Sequence, residues 1–493
     1  MNGIEARTYR FGDANRPGLV LGLSARQAVP MIAGVLWLAG TLQTPLPWPV
    51  GLVGPAAGLT VAFGRLRGSP LAETVLPGIR LVALKRFNRH LWVQPPLLGE
   101  GDPALPEAMR GLSMLEVPAR DAGRPACVVV RDRATGCVSA VVRVRGRGFP
   151  LAGNAEQDAM LSRWGDALSP FARDRSPVSR VTWQEWTHPV GLDRHRAFLT
   201  AVGIDDRADS ATADYLALLD QQAPVTVAHD VLVTVTVDQR RVRRRRRVTS
   251  QLDAAVETLA DEVRLFTARL DAAGLSTDSP LAALELSTAV RLRSDPTRAA
   301  QVTTLSRSLA GAAGRGALAW GPMTVEPDWA HVRVDGVLHR SYRIAVWPQL
   351  PVGSDWMAAL LTSAQVTRTI TVVMEPVSMP RAARAADREV MAREADSELK
   401  ERKGFRVNAR ERKRLADVAD RERELAEGHA EFRFVGIVTV TATNLDELDE
   451  ACADVEQSAA QSLLDLRPLD ARHPQAWVAS LPLGRNIAPS SVR

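Results

Sequence analysis

The chain has 493 residues, of which 46% are hydrophobic and 24% are charged, and its formal net charge is +6. These proportions are ordinary for a folded protein and exclude one that is apolar throughout, while the length predicts two to four domains of ~150 residues each. Three cysteines are too few, and odd in number, for a disulfide framework. The mild positive excess suits contact with anionic lipid and contact with nucleic acid equally well.

Two short apolar stretches, 28–42 and 47–63, follow an N-terminal cytosolic segment, 1–27. Each is marginal for a membrane span, which needs ~20 apolar residues. Neither contains a charged residue, and arginines flank the pair on both sides. The pattern predicts a transmembrane helical hairpin over 28–63 with both ends in the cytoplasm, because basic residues stay inside. A multi-pass protein of the cytoplasmic membrane follows, with a signal peptide or a pair of buried core helices as the alternatives.

The next segments predict a juxtamembrane region and a first α+β module. Residues 64–93 alternate apolar and basic residues, which indicates an amphipathic segment on the inner leaflet or an ordinary surface helix. A Pro/Gly-rich linker then opens the first module, 94–222. Its predicted elements are strands at 112–117, 127–132 and 137–145, a helix at 154–169 and a strand at 178–186.

A strand followed by a long helix marks the second α+β module, 223–378, and the pattern recurs near the C-terminus. A helix at 212–221 leads to a Val/Thr-rich strand at 231–237, with helices at 251–273 and 281–292. The recurrence consists of strands at 368–374 and 432–443 and a helix at 445–463 with Asn444 as its N-cap. Residues 431–493 complete this body. The fold class is α+β, with antiparallel-sheet modules and helices on one face.

Residues 379–430 are the most charged part of the chain. Acidic and basic residues alternate at three- and four-residue spacing, which supports an exposed helix through local ion pairs. We predict a long charged helical arm. It either docks another subunit or is a solvated arm without a partner.

Motifs of catalysis are missing from the sequence. None of the four lysines follows a glycine, so the Gly-Lys-Ser/Thr core of a P-loop is absent. There is no G-x-S-x-G motif, and no cysteine has a neighbouring histidine. His188, Asp193 and His195 lack the spacing of a metal site. We therefore predict no catalytic, metal-binding or cofactor-binding residue, and a protein that is not an enzyme.

A run of arginines from 240 to 247 is the most extreme local feature. Seven guanidinium groups in this run repel one another unless they face water, acidic lipid, phosphates or an acidic partner. The seven are Arg240, Arg241, Arg243, Arg244, Arg245, Arg246 and Arg247. A solvated loop, lipid or partner contact, and nucleic-acid contact remain open. Nucleic acid ranks last because aromatic residues for base stacking are missing.

A series of short motifs in the C-terminal third resembles a known family. The series includes Gly428-His429, then Arg467-Pro468-Leu469, and it closes on 479–485, which contains Leu481-Pro482. Together with 16–27 and the double apolar stretch, it resembles the actinobacterial membrane-protein family encoded in conjugative elements. Members resemble a PrgI-like two-helix membrane subunit fused to the N-terminal, non-ATPase half of the VirB-type secretion ATPase.

The resemblance implies a role beside a motor. In the secretion ATPases an Ala-Ser/Thr-Leu-Pro stretch similar to 479–482 precedes the nucleotide-binding domain, whereas this chain has eleven residues after Pro482. The motor is therefore expected to be a separate polypeptide, and the family supplies no catalytic residues. The predicted function is a membrane-anchored structural component of a conjugative type IV-like secretion apparatus. It would dock a separately encoded P-loop secretion ATPase within a homo-oligomer or multi-subunit complex.

Two other functions stay open. One is a membrane-tethered nucleic-acid-binding protein that uses the arginine run, and the other is a membrane component of a type VII-like secretion system.

Overall fold

A computed structural model describes residues 25–44, 47–95, 104–119, 126–146, 148–190, 192–204, 209–222, 226–243, 250–311, 320–362, 366–388, 391, 423 and 430–487. The strands are β1 (Arg65–Leu66), β2 (Ser69–Pro70), β3 (Trp92–Val93), β4 (Leu112–Val117), β5 (Cys127–Asp132), β6 (Cys137–Arg145), β7 (Val178–Pro189), β8 (Val227–Asp238), β9 (Ser276–Thr277), β10 (Thr324–Pro327), β11 (Val332–Val334), β12 (Val337–Val346), β13 (Arg368–Val377), β14 (Glu431–Ala442) and β15 (Asp465–Pro468). The helices are α1 (Ala25–Leu42), α2 (Trp48–Phe63), α3 (Leu71–Arg86), α4 (Asn154–Leu168), α5 (Asp193–Ala201), α6 (Ser210–Gln222), α7 (Gln251–Ala272), α8 (Ala283–Ser294), α9 (Ala299–Gly311), α10 (Ala358–Thr362), α11 (Leu445–Gln461) and α12 (His473–Ala479).

One antiparallel sheet organises the body of the protein. Its 13 strands include a continuous path in the order β3-β10-β11-β12-β14-β13-β7-β8-β6-β5-β4, with β9 paired to β6 and β15 paired to β12. This sheet confirms the α+β class and the antiparallel pairing expected from the sequence. The predicted module boundary at 222/223 falls between β7 and β8, which pair along their whole length.

The sheet consists of two modules with the same connectivity. The first module has the order β4-β5-β6-β8-β7, and the second has β10-β11-β12-β14-β13. In the first module, β8 is followed by the long helix α7 and the short strand β9, which pairs with β6. In the second module, β14 is followed in the same way by α11 and β15, which pairs with β12. The motif Val-Thr-Val-Thr occurs at 233–236 in β8 and at 438–441 in β14. The modules join where β13 pairs with β7.

Helices cover both faces of the sheet. Val233 and Val235 of β8 pack with α7, whereas Leu232 packs with α8 in a separate core. Neighbouring residues of a strand point to opposite faces, so α7 and α8 lie on opposite sides. In the second module α11 packs on Val438, and α12 packs on Ile437. The expectation of helices on one face only is wrong, because the long strands are buried on both faces, with threonines alternating with valines.

Most long elements were predicted within a few residues. The first three strands of the first module agree residue for residue with β4, β5 and β6. The N-cap of α11 is confirmed, because Asn444 Oδ1 accepts a hydrogen bond from Glu447 N at 3.0 Å. Strands β10 to β12 were missed. They lie in a stretch where charged residues and Pro327 interrupt the apolar pattern, although Asp335-Gly336 is a typical hairpin signal.

The N-terminal helices form an antiparallel pair that does not meet the requirements of a membrane hairpin. Trp37 Nε1 donates to the Val50 carbonyl at 3.1 Å, and a Cβ on Gly34 would lie 2.7 Å from the Gly54 carbonyl oxygen. Yet none of the helices in the described ranges combines the length and the apolar character that a bilayer crossing requires. The predicted transmembrane hairpin over 28–63 is wrong, and so is the multi-pass membrane localisation that followed from it.

The length of α2 and the composition of α1 explain why the two helices do not qualify as membrane spans. Helix α2 has 16 residues, which at ~1.5 Å per residue span about 24 Å, less than the ~30 Å hydrocarbon core. Helix α1 has 18 residues, but it begins before the apolar stretch and includes Arg26 and Gln27. Neither helix therefore meets the requirements of a membrane span by itself, and their pairing does not change this.

Helix α3 is attached to the body instead of lying on a lipid leaflet. Lys85 Nζ lies 2.9 Å from Asp328 Oδ2, and Arg80 forms an ion pair with Glu107. Gly78 faces the Trp329 ring so closely that a Cβ there would lie 2.9 Å from the ring. The basic side chains of the helix bind acidic residues of both modules, Glu107 of the first and Asp328 of the second, which agrees with the ordinary surface helix left open for 64–93.

Candidate functional site

The described part of the arginine run lies at the end of β8. Arg240 and Arg241 belong to a short 3-10 turn, and Arg243 is exposed just after it. Asp238 Oδ1 accepts from Arg240 N at 2.9 Å, and Arg241 Nη1 donates to the Val178 carbonyl at 3.4 Å. The remaining four arginines of the run, 244–247, lie outside the described residues.

The sheet brings more arginines to the same end of the first module. Gln239 N donates to Gly136 O at 3.1 Å, which places the arginine turn beside the β5–β6 turn. Arg133 of that turn donates its N–H to Gly111 O at 2.9 Å, next to Arg110. Arg175 precedes β7 with a side chain that is 77% exposed. We call these residues the arginine end; its members are Arg110, Arg133, Arg175, Arg240, Arg241 and Arg243.

The described residues that carry the family resemblance lie in a strand or in the core. Arg467 and Pro468 belong to β15 and pair with Arg343 and Tyr342 of β12. Leu469, Leu481 and Pro482 are buried. Gly428 and His429 lie outside the described residues.

Residues 480–487 form a strap across the face of the sheet that carries α12. We call this segment the C-terminal strap. Gln184 Nε2 donates to the Ala479 and Leu481 carbonyls at 3.3 and 3.0 Å, which ties the strap to β7. The Ile487 side chain packs on Ile437 of β14. The strap therefore contacts both modules.

Arg485 anchors the strap to the first module. Its Nε and Nη2 donate to the two carboxylate oxygens of Asp132, each at 3.1 Å. It also donates to the carbonyls of Ala108 and Arg110. Burial alone raises the pKa of Asp132, but the hydrogen bonds and charge of Arg485 outweigh it and hold that pKa below its ordinary value. Asp132 therefore stays ionised and paired.

The strap approaches the sheet so closely that one position requires glycine. Gly484 has φ +70°, and a Cβ at this position would lie 2.2 Å from Ser139 Oγ. Both the left-handed backbone and the contact exclude a side chain there. The sequence gives no direct signal of this contact, because Ser139 lies in the other module.

A charged cluster built on the buried Arg293 joins α8 to the first module. Asp230 accepts from Arg143 Nε and from Arg293 Nη2, each at 2.8 Å. The Arg293 guanidinium lies 4.9 Å from the centre of the Trp186 ring, and His188 stacks on that ring at 3.7 Å. Burial and the charge of Arg293 lower the pKa of His188 to about 4, so this histidine is neutral at pH 7. The cluster holds α8 against the sheet.

A second polar group lies on the opposite face at the junction of the modules. Glu185 Oε1 accepts from Thr187 Oγ1 and from His229 Nδ1, each at 2.5 Å. Arg368, in register with Thr187, is fully buried nearby, and burial lowers its pKa. Sequence reasoning missed both groups. The only signal was the presence of charged residues inside Val/Thr-rich strands.

The described residues contain no group of three or more His, Cys, Asp and Glu side chains that could hold a metal ion. His195 Nε2 instead lies 2.9 Å from Tyr215 Oη. A cavity of about 260 Å³ lies beside α7 and is lined largely by apolar side chains such as Val129 and Val263.

No protein-family model matches this chain. No curated protein matches it either.

Proposed function

We propose that this chain is a structural component of a conjugative, type IV-like secretion apparatus that docks a separately encoded P-loop secretion ATPase. Two features of the sequence support the proposal. The ordered series of motifs resembles the non-ATPase half of the secretion ATPases, and the 493 residues lack a Gly-Lys-Ser/Thr motif. The proposal does not depend on a membrane anchor.

The position of the C-terminal strap is the observation that carries the proposal. In the resembled ATPases, the stretch similar to 479–482 precedes the nucleotide-binding domain. Here the corresponding residues are buried, and Gln184 fastens them to β7, while Arg485, three residues further on, binds Asp132 of the first module. A motor placed as the nucleotide-binding domain is in the resembled ATPases would therefore sit beside α12 and the strap, on that face of the sheet.

Position-specific crosslinking tests the docking surface. A photoreactive benzoylphenylalanine is introduced at Gln475, which is exposed on α12, in cells that also produce the candidate ATPase. The matched control carries it at Ala453, which is exposed on α11 on the opposite face of the sheet. We expect an ATPase adduct from position 475 and none from position 453.

Three results would contradict the proposal. They are the absence of an ATPase adduct at position 475, equal adducts at both positions, and adducts only at position 453. Retention of the wild-type thermal midpoint by both variants ensures that the comparison reports on docking and not on folding.

A further inference from the structure

We propose that the arginine end of the first module binds the phosphate backbone of nucleic acid. This inference is independent of the docking proposal, because the arginine end and the exposed face of α12 are different surfaces. It rests on the convergence of arginines from separate segments, their unbalanced charge, their absence from the second module and the polar character of the surface.

The convergence results from the antiparallel register. Asp132 of β5 pairs with Cys137 of β6, and Cys137 pairs with Asp238 of β8. Val237 of β8 in turn pairs with Val178 of β7. The loops that continue from these positions therefore leave at the same end of the sheet. Leu112 of β4, which follows Arg110, pairs with Asp132 as well, so five adjacent strands at ~4.8 Å spacing place the loops within a row about 19 Å wide.

The acidic residues at this end are already engaged. Asp132 is held by Arg485, and Asp238 binds the backbone of Arg240 and lies 3.8 Å from Arg241 Nε. Asp174 lies 3.7 Å from Arg175 Nε. Within the described ranges, ion pairs are absent from the other four members of the arginine end; these are Arg110, Arg133, Arg240 and Arg243.

The second module shows that the fold does not need these arginines. Its last long strand, β14, reaches α11 through Thr443 and Asn444 alone, whereas the first module uses residues 239–250 between β8 and α7. The turn before β12 carries Asp335 where the turn before β6 carries Arg133. Because the same connection closes without arginine in one copy, the arginines of the other copy require an explanation beyond folding.

The character of the surface favours nucleic acid over a protein partner. Segments 104–111, 131–137, 172–178 and 238–243 contain no exposed large hydrophobic side chain and no aromatic residue. Protein–protein interfaces have an apolar, often aromatic centre, while nucleic-acid interfaces are more polar and strongly basic. Guanidinium groups bind phosphate oxygens in bidentate fashion. Without aromatic side chains for base stacking, the contact is expected to be independent of sequence.

The test measures binding of the full-length chain to labelled oligonucleotides by fluorescence anisotropy at several salt concentrations. The variant Arg133→Gln/Arg240→Gln/Arg243→Gln removes three charges from the arginine end. The control Arg89→Gln/Arg163→Gln/Arg333→Gln removes three exposed arginines elsewhere. We expect at least tenfold weaker binding of the first variant to single strands. The slope of log affinity against log salt should also fall by about 2, from ~0.7 per lost contact.

Four outcomes would overturn the inference. Wild-type protein that binds neither single-stranded nor duplex DNA is one, and equal loss of affinity in both variants is another. A salt slope that the arginine-end variant leaves unchanged is the third. The fourth is arginine-dependent binding to polyglutamate without binding to nucleic acid, which would assign the surface to an acidic protein. Circular dichroism establishes that the variants are folded.

Discussion

At the scale of single residues, buried histidines show how polar groups are accommodated in this core. His339 of β12 is fully buried. Its Nε2 donates to the Ser294 carbonyl at 3.0 Å, and its Nδ1 lies 2.9 Å from Thr441 Oγ1. In the neutral ring with its proton on Nε2, Nδ1 accepts from the Thr441 hydroxyl, so both ring nitrogens have partners. Burial lowers the pKa of His339 to about 4, although the hydrogen bond to Ser294 acts in the opposite direction.

We predict that His339 makes stability depend on pH. The folded protein keeps this histidine neutral down to pH about 4, whereas the unfolded chain protonates it near pH 6.5. The unfolded state therefore binds more protons between these values, and the free energy of unfolding falls as the pH falls through that window. The contribution is up to about 3 kcal/mol. Urea unfolding between pH 7.5 and pH 4 measures it, with these pH limits set roughly around the two pKa values.

The variant His339→Gln supplies the comparison, because an amide keeps donor and acceptor groups but does not titrate. Its profile should be flatter than that of the wild type, although the lowered pKa of His188 retains part of the slope with the same sign. Identical slopes in both proteins would show that His339 does not contribute.

At the scale of elements, the C-terminal strap is a short irregular segment with the burial of a core strand. Gly484 allows its backbone to approach Ser139, and Arg485 supplies a bidentate ion pair to Asp132. An irregular segment needs such partners, since its backbone groups lack a regular ladder of hydrogen bonds. Side chains of the first module supply them.

We predict that Arg485→Ala lowers the free energy of unfolding by about 3 kcal/mol, because it leaves a buried carboxylate without its partner. The matched change Arg467→Ala removes an ion pair to Asp465 that is partly exposed on both sides, and it should cost about 1 kcal/mol or less. Denaturant unfolding of the two variants beside the wild type measures the difference. Equal losses would show that the Arg485–Asp132 ion pair stabilises the protein no more than the partly exposed Arg467–Asp465 pair does.

At the scale of the whole molecule, the two modules share one sheet. Strands β7 and β13 pair over seven residues, 181–187 with 368–374, and the strap contacts both modules on one face. The core under α8 includes residues of both modules, for example Leu286 and Trp477. Neither module buries its inner strand without the other.

We predict from this sharing that the described body unfolds as one cooperative unit. Circular dichroism and tryptophan fluorescence should give coincident transitions in urea, because loss of either module exposes β7 or β13 of the other. Hydrogen exchange of amides in β7, β13 and β14 should report the same opening free energy. Two separated transitions would show that the modules unfold independently.

The sequence predicted the long strands well and the contacts between distant residues poorly. Valine-rich strands, such as β6 and the Val/Thr-alternating β8, were located because their pattern is visible in any short window. The three- and four-residue strands β11 and β10 were missed, since so few residues carry no period. The apolar N-terminal stretches were interpreted as membrane spans because composition alone does not separate such spans from other apolar helices.

The candidate surfaces were likewise predicted only where their residues are neighbours in the chain. The arginine run was evident as a run, but Arg110, Arg133 and Arg175 joined it only through strand register. Asp230 and Glu185 gave no signal beyond their charge inside strands. Their partners Arg143, Arg293 and His229 lie 87, 63 and 44 residues away in the chain, so the pairs form only when the fold brings these segments together.

The sequence by itself determined the α+β class, the repeated strand-then-helix pattern and the absence of a P-loop, because periodicity and motif spacing are properties of neighbouring residues. Only the tertiary structure decided that two modules join at β7 and β13, that residues 480–487 cross both of them, and that arginines from four loops meet at one end. Those features depend on strand partners distant in the chain. These features are stabilised by packing in the assembled core and not by any local segment.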